Sequence, residues 1–384
     1  MVPSLNLMTR KQPNVLNKFF ASVFTNENND NVPILPDRNN DNFICDLVLT
    51  KEAVLGKLEN LNPNKAMGPD KIPPIILKEL SGELCFPLTV IYNKSLSERK
   101  LPSDWKSAQI TALFKKGNEL EPGNYRPVSL TCVSCKILES FVTDQVVDYM
   151  ENNGFFSKCQ HGFRRHRSCV TQLLEVLNNL TEWIENSENI DIIYLDFCKA
   201  FDSVPHKRLL NKLKAYGISG NLLDWIADFL SDRKQRVKVN NSVSSEKKVT
   251  SCIPQGSILG PVLFIIFIND FPENVQSTCK VFADDTKIYN VTKNHDIIQN
   301  DINALFEWSR TWQLNFNLAK CCVLHIGNKN ECYEYYMEDG KKIECTTEEK
   351  DVGVTFSTDL KFDIHINKIC NKANQLAGLM RRCF

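Results

Sequence analysis

The feature that most constrains this chain is a pair of adjacent carboxylates at the tip of a predicted strand–turn–strand. Asp284 and Asp285 are flanked by apolar or β-rich residues, 279–282 before them and 288–291 after them. Such a pair is costly to place against a core, because like charges repel and burial removes their hydration. A divalent cation counters both effects. The pair therefore predicts a metal site whose missing ligand lies elsewhere in the chain.

The overall charge of the chain gives no support to nucleic-acid binding. Among the 384 residues, 46 basic and 46 acidic side chains cancel, so any such surface must come from local patches. Basic clusters occur at 115–116, 164–167 and 381–382. The length predicts two or three domains and a large core.

The 15 cysteines do not predict a disulfide scaffold, because the chain is long and residues 1–10 lack the apolar core of a signal peptide. We expect reduced thiols in an intracellular protein, with nucleus and cytoplasm both open. Cys132 and Cys135 have no matching second pair, and Cys321, Cys322 and His325 lack a partner cluster. Both groups are interpreted as buried apolar side chains rather than zinc ligands. The longest apolar run, 262–268, is too short to span a bilayer, so we expect no membrane partner.

The predicted elements alternate irregularly between helix and strand, which indicates an α+β fold. Residues 1–49 are rich in Asn, Asp and Pro and are interpreted as a loosely ordered lead-in. Thr50 is predicted to cap a helix that runs to residue 60. Periodicity predicts further helices at 75–80, 84–96, 135–150, 169–184, 206–216, 221–230, 257–271, 300–312 and 364–382. It predicts strands at 108–114, 190–197, 235–240, 246–252, 323–326, 333–337 and 352–356.

The third acid is best sought at the end of the apolar strand 190–197. Asp196 alone is most simply a capping residue where the strand leaves a sheet. Beside Asp284 and Asp285 the metal interpretation is favoured, because three carboxylates and a substrate phosphate can hold two Mg²⁺ ions.

Three further segments carry polar chemistry, and each has a simpler structural explanation. Residues 253–261 place Gln255 and glycines at a helix entrance, which is also what a plain turn requires. The basic turn 115–117 and the segment 124–130 suit a triphosphate, or a solvated hairpin. The basic and aromatic segment 160–165 suits a nucleic-acid backbone.

Taken in order, these segments resemble the reverse transcriptase of non-LTR (LINE-type) retrotransposons. The resemblance covers about residues 47–384, and 17–24 also looks like the segment that joins endonuclease to polymerase in such elements. Each motif alone is weak to moderate, whereas the ordered set is specific. The set is NYRPVSL, QHGFRRHRS, YLDFCKAFDSVPH, IPQGSILGP and FADDTKIY.

The resemblance implies a right-hand polymerase with fingers, a ferredoxin-like palm and the start of a thumb. On this basis residues 50–189 are predicted as fingers, 190–360 as palm with interleaved fingers elements, and 361–384 as the start of a truncated thumb. The family's upstream endonuclease is expected to be absent from this chain, and no RNase H segment is expected to follow it. The chain is then expected to be a fragment of a longer element or a truncated copy.

The resemblance also assigns roles to individual residues. The metal-binding acids correspond to Asp196, Asp284 and Asp285, with the backbone carbonyl of Phe197 as a further ligand. Lys320 corresponds to the palm lysine proposed as general acid to pyrophosphate. The residues that grip the triphosphate correspond to Lys115 and Arg126, and the aromatic residue that excludes a ribose 2′-hydroxyl corresponds to Phe201. Gln255 and Gly256 correspond to residues that contact the template and the nucleotide. Arg164 and Arg165 correspond to a nucleic-acid contact, and the turn 351–354, with Gly353, corresponds to the turn that positions the primer end. Two positions depart from the family pattern: Val352 replaces a frequent leucine, and His166 replaces a frequent glycine.

The implied reaction is template-directed DNA synthesis with two Mg²⁺ ions, or Mn²⁺ in their place. The expected partners are an RNA template, a DNA primer and dNTPs. Two other interpretations stay open: an inactive remnant that at most binds RNA, and an intron-encoded maturase, whose maturation domain should follow the thumb.

Overall fold

The computed structural model describes residues 5–39, 41–337 and 340–383. In chain order the helices are α1 (Leu5–Ser22), α2 (Lys51–Glu59), α3 (Pro74–Glu79), α4 (Ser81–Ser97), α5 (Val133–Asn152), α6 (Cys169–Glu185), α7 (Ala200–Ser203), α8 (His206–Ala215), α9 (Gly220–Leu230), α10 (Gly260–Phe267), α11 (His295–Trp312) and α12 (Asp363–Cys383). The strands are β1 (Ser107–Phe114), β2 (Tyr125–Leu130), β3 (Ile190–Leu195), β4 (Lys234–Val239), β5 (Ser242–Val243), β6 (Lys247–Lys248), β7 (Thr278–Phe282), β8 (Asp285–Val291), β9 (Cys322–Ile326), β10 (Glu344–Thr346), β11 (Glu348–Asp351) and β12 (Val354–Ser357).

The chain divides into two compact units, each built from segments that are distant in sequence. The first unit comprises Met1–Phe156, Lys199–Ile268 and Trp312–Leu314. The second comprises Ser157–Cys198, Asn269–Thr311 and Asn315–Phe384.

The first unit contains a sheet of strand order β2-β1-β4-β5, with β6 also paired to β4. β1 is antiparallel to β2 and parallel to β4. Helix α1 covers this sheet, because Leu16 and Phe20 pack on Ile110 and Val237 in one apolar cluster.

Helix α1 is a departure from the sequence prediction, since it lies within the lead-in that we expected to be loosely ordered. The side chain of Asn17 is buried and donates from Nδ2 to Ser244 Oγ at 2.9 Å and to the Ser245 carbonyl at 2.7 Å. The helix is thus fixed by tertiary contacts with residues more than two hundred positions away, which local composition does not report.

The second unit contains a sheet of order β10-β9-β3-β8-β7. β3 is central and antiparallel to both β8 and β9. Its residues Ile190, Ile192 and Ile193 are fully buried, which explains why the strand is a nearly continuous apolar run rather than an alternating one. Helix α6 packs on this sheet, and its N-terminus carries a capping box between Ser168 and Thr171.

Most predicted elements are confirmed within a few residues. Thr50 caps α2 by accepting a hydrogen bond from the Ala53 amide, and the predicted hairpin around the acid pair is β7–β8. The predicted strand at 333–337 is wrong: the structure shows there only an isolated pairing of Tyr336 with Lys342. The cause is tertiary, because the Tyr335 hydroxyl donates to the buried carboxylate of Asp191 and Tyr333 stacks on His295.

The cysteine predictions are confirmed in part for the residues that the structure describes. The thiols there are free, and Cys132, Cys135 and Cys321 are buried. Cys322 is only half-buried, and its thiol contacts Glu349 Oε2 at 3.4 Å. Over the same residues, no helix has both the length and the apolar character needed to cross a membrane.

Candidate functional site

The predicted metal-binding acids lie on neighbouring strands of the second unit. The β3–β8 register pairs Leu195 with Thr286. Asp196 follows Leu195 and Asp285 precedes Thr286 on the antiparallel partner, so the two acids occupy facing positions at one end of the strand pair. Asp284 is next to Asp285 in the two-residue turn between β7 and β8. The three acids predicted from sequence are thereby brought to one edge of the sheet.

The electrostatics of this edge are those of a site with excess negative charge. Desolvation and the neighbouring carboxylates of Asp284, Asp196 and Asp351 raise the pKa of Asp285 to about 6, although Lys287 acts in the opposite direction. A cation placed among these oxygens would remove the repulsion that raises this pKa.

Asp196 already has one cationic partner. Lys320 Nζ donates to Asp196 Oδ2 at 2.7 Å, and both side chains are partly exposed, at 60% and 33%. The backbone of Asp196 is also held in place, because its carbonyl oxygen accepts a hydrogen bond from the Asn317 amide at 2.7 Å. Phe197 is buried and its ring stacks on Phe316 at 4.7 Å, which anchors the end of the strand that carries Asp196.

Residues 160–162 hold the turn that carries the acid pair through hydrogen bonds and close packing. Gln160 Oε1 accepts from the Gly162 amide at 2.7 Å and from the Ala283 amide at 3.0 Å. A Cβ added at Gly162 would lie 2.6 Å from the Ala283 nitrogen. Only glycine therefore fits against the turn, whose Ala283 has a left-handed φ of 55°. Sequence reasoning assigned this segment to nucleic acid and missed its role in holding the acidic turn.

Asp196 and Asp285 line a cleft of about 390 Å³ in the second unit, together with Lys320 and other residues. Its wall includes a buried ion pair between Lys287 of β8 and Asp351 of β11. Among the described residues, no three His, Cys, Asp or Glu side chains converge closely enough to hold a metal ion. The donor set nevertheless fits a hard divalent cation, because Asp196 and Asp285 occupy facing register positions, Asp284 is next to Asp285, and the neighbouring carboxylates add to desolvation in raising the pKa of Asp285.

The turn at 351–354 is a tight two-residue connection between β11 and β12. Asp351 pairs with Val354, and the two residues between them have positive φ, 38° at Val352 and 102° at Gly353. This is the backbone of a primed hairpin turn. A β-branched residue is strained in that region, so Val352 carries more backbone strain here than leucine would.

The basic segment after Gly162 is only partly available to a ligand. Arg164 Nη1 donates to the Ser157 carbonyl at 2.8 Å, while Arg165 is exposed. His166 has a φ of 59°, which explains why this position favours glycine.

The predicted nucleotide-binding residues lie together in the first unit. Lys115 follows β1 and its amide donates to the Asn124 carbonyl at 2.9 Å, which closes the hairpin with β2. Arg126 lies on β2, opposite Leu113. Desolvation raises the pKa of the buried Asp202 carboxyl, and the net value is about 6. Gln255, Lys199, Lys115 and Arg126 act in the opposite direction, so both predicted cations act on this carboxyl.

Gln255 is oriented by the same carboxyl. Its side-chain Nε2 donates to Asp202 Oδ1 at 2.8 Å, and its backbone carbonyl accepts from the Ser129 amide at 2.7 Å. A Cβ at Gly256 would lie 2.6 Å from the Ser129 carbonyl oxygen, and its φ is 104°, so this glycine is required for the close approach to β2. Phe201 stacks on Phe264 with ring centroids 4.5 Å apart.

Comparison with known proteins agrees with this arrangement. Residues 114–355 match the sequence model of the family described as reverse transcriptase (RNA-dependent DNA polymerase). The chain belongs to the reverse transcriptase family. With this family comes a polymerase palm fold, which is consistent with the mixed helices and sheets described above.

The relatives are enzymes of non-LTR retrotransposons, as the sequence motifs implied. The chain is 30% identical over 336 residues to the RNA-directed DNA polymerase from mobile element jockey of Drosophila melanogaster, covering 84% of this chain and 36% of the relative. It is 31% identical over 267 residues to the probable RNA-directed DNA polymerase from transposon X-element of the same species, covering 67% and 29% respectively. The chain thus spans about a third of the length of these relatives.

Two residues of this reverse transcriptase were missed by sequence reasoning although their segments were noted. Asp202 follows Phe201 directly, and its place within the motif YLDFCKAFDSVPH was the available signal. Lys287 lies in FADDTKIY and is buried against Asp351, a contact for which the local sequence holds no signal.

Proposed function

We propose that this chain is an RNA-directed DNA polymerase that adds dNTPs to the 3′-hydroxyl of a primer paired with an RNA template. The observation that carries the proposal is the facing position of Asp196 and Asp285 across the β3–β8 register, with Asp284 beside them. Family membership and the naming of the relatives as RNA-directed DNA polymerases support it.

In this proposal, Asp196, Asp284, Asp285 and the carbonyl of Phe197 hold two Mg²⁺ ions, for which Mn²⁺ could substitute. Bound divalent cations would supply charge stabilisation to the attacking and leaving oxygens of phosphoryl transfer. The protein's own part is positioning: the Gln160 brace holds the acidic turn, and the stacked Phe197 holds the end of β3.

Lys320 is proposed to donate a proton to the leaving pyrophosphate. Its ammonium pairs with Asp196 Oδ2, which holds it close to the acids. A general acid of this kind contributes by protonating the leaving oxygen as its bond breaks.

The triphosphate of the incoming dNTP is proposed to bind Lys115 and Arg126 of the first unit. Arginine offers two parallel donors to phosphate, and lysine offers a mobile point charge. The ring of Phe201, held by Phe264, would exclude a ribose 2′-hydroxyl, while Gln255 and Gly256 contact template and nucleotide.

Arg164, Arg165 and Gly353 are proposed to contact nucleic acid, through backbone phosphates for the arginines and at the primer end for the glycine. The division into fingers (50–189), ferredoxin-like palm (190–360) and thumb (from 361) stays part of the proposal. So does the RNA template, since base pairing rather than protein contact would select each nucleotide.

The proposal is tested by primer extension on an RNA template with the purified chain. We expect extension that requires a divalent cation and stops when EDTA is added. RNA binding without extension at any Mg²⁺ or Mn²⁺ concentration would instead support an inactive RNA-binding remnant.

A further inference from the structure

A second set of chemically active side chains lies on the sheet of the second unit, on residues other than the facing acids. Asp191 of β3, His325 of β9 and Cys345 of β10 form a continuous chain of contacts. His325 Nδ1 lies 2.6 Å from Asp191 Oδ1, and His325 Nε2 lies 3.4 Å from Cys345 Sγ. Strand register brings them together, because Asp191 pairs with His325 and β10 lies next to β9.

The hydrogen bonds around Asp191 define the state of the histidine. The carboxylate is fully buried and is also contacted by the Tyr335 hydroxyl at 2.7 Å and Asn330 Nδ2 at 2.9 Å. Both of these groups donate to Asp191, and an Nδ1–H of His325 is a third donor that this carboxylate can accept. In that tautomer Nε2 is an acceptor within reach of the Cys345 thiol.

We propose that Cys345 is a nucleophilic thiol activated by His325 and Asp191, and that it is a covalent modification site for small disulfides and soft electrophiles. Cys345 is exposed, whereas His325 and Asp191 are buried, so the nucleophile is accessible and its base is held in place. The arrangement has the order of nucleophile, base and orienting acid that activates thiols in general.

With a disulfide, the reaction is a thiol–disulfide exchange. The Cys345 Sγ–H proton moves to His325 Nε2 while Sγ forms a bond with one sulfur of a disulfide. The disulfide bond breaks, and the second sulfur leaves as a thiolate that takes the proton from the imidazolium. The disulfide is the oxidant and is reduced by one thiol equivalent. The adduct would project into the cleft, because Cys345 lines it together with Asp196 and Lys320.

The surroundings of Cys345 disfavour its thiolate, so a fast reaction of this thiol depends on His325. Desolvation raises the pKa of the Cys345 thiol; Lys342 acts against this, and Cys332, Asp191 and Glu344 act with it. Without a base, Cys345 should therefore react more slowly than an ordinary exposed cysteine. A faster reaction requires proton transfer to His325.

The test is the rate at which each cysteine of the reduced full chain is alkylated by limiting iodoacetamide at pH 7, measured by peptide mass spectrometry. Cys370, exposed on α12, is the internal reference, and the buried Cys279 and Cys85 report that the fold is intact. We expect Cys345 to react at least about tenfold faster than Cys370. Equal or slower reaction of Cys345 in the native chain overturns the proposal.

The matched variant is His325→Asn, whose amide can still donate toward Asp191 but offers no base to the thiol. We expect the Cys345 rate to fall to that of Cys370 or below, with Cys370 unchanged. An unchanged Cys345 rate, while Cys279 stays protected, contradicts the role of His325. If the variant does not fold, the comparison within the native chain decides alone. Neither readout depends on polymerase activity.

Discussion

Lys320 Nζ lies 2.7 Å from Asp196 Oδ2, so the proposed general acid is paired with a proposed metal ligand. This contact has two opposed consequences. The lysine is held where a leaving group would need a proton, and it competes with a cation for the same carboxylate oxygen.

Lys320→Gln should therefore lower both the maximal extension rate and the Mg²⁺ concentration that extension requires. We expect the maximal extension rate to fall by about a hundredfold, the lower range for loss of a general acid. We expect the Mg²⁺ concentration for half-maximal rate to fall, because Asp196 is released. Lys293→Gln is a matched control, since Lys293 is 63% exposed and pairs with Glu188 in the same unit. A full rate in Lys320→Gln would remove the general-acid role.

Phe201→Val should admit ribonucleotides. The ring of Phe201 is held against Phe264 with centroids 4.5 Å apart, so valine would leave space where the ring stood. We expect the ratio of dNTP to rNTP incorporation to fall at least about tenfold, which is roughly 1.4 kcal/mol of discrimination. Phe201→Tyr keeps the ring and should keep the ratio. Unchanged discrimination in the valine variant would show that Phe201 is not the gate.

Asp202→Asn should stabilise the protein at neutral pH. The pKa of Asp202 is raised from 3.8 in the unfolded chain to about 6 in the fold. The folded state thus binds more protons between these values, and the free energy of unfolding falls as pH rises through this window. Asparagine carries no charge and avoids the free-energy cost of burying an ionised carboxylate, and its Oδ1 can still accept a hydrogen bond from Gln255.

The gain expected for Asp202→Asn at pH 7.5 is about 1–3 kcal/mol, and it should vanish near pH 4, as measured by urea unfolding. Asp224→Asn, at an exposed carboxylate, should show no such pH-dependent difference. A lower stability of Asp202→Asn at pH 7.5 would contradict the assigned desolvation.

Gly162→Ala should displace the acidic turn, because the added Cβ would lie 2.6 Å from the Ala283 nitrogen. We expect a loss of about 1–3 kcal/mol in unfolding free energy, together with slower extension. Gly378→Ala on α12 is the control, since a Cβ there has no heavy atom within 4 Å. That change should be neutral or stabilising by up to about 1 kcal/mol. Equal stability of the two variants would show that the turn tolerates a side chain at position 162.

The sequence predicted the strands around the acids well because their burial leaves a direct pattern. β3 is apolar almost throughout, and the flanks of Asp284 and Asp285 are β-rich, so the hairpin and its central neighbour were evident. Asp196 required the motif order, because nothing in its local periodicity links it to residues ninety positions later.

The contacts that hold the site could not be predicted in the same way. Gln160 supports Ala283 across more than a hundred residues, and Lys287 is buried because Asp351 meets it from another strand. Helix α1 was missed for the same reason, since its polar residue Asn17 is satisfied by a distant loop. Single-sequence patterns report which face is apolar, and they do not report which polar groups find partners in the fold.

The most direct test of the central claim is single-nucleotide primer extension on an RNA template by the native chain, Asp285→Asn and Asp296→Asn. Asp285 faces Asp196 across the strand register, whereas Asp296 is an acid in the first turn of α11 whose side chain is 90% exposed. We predict extension by the native chain and by Asp296→Asn, and a loss of at least about a thousandfold in Asp285→Asn with unfolding free energy undiminished. Extension by Asp285→Asn at the native rate would contradict the assignment of these carboxylates as the metal-binding centre.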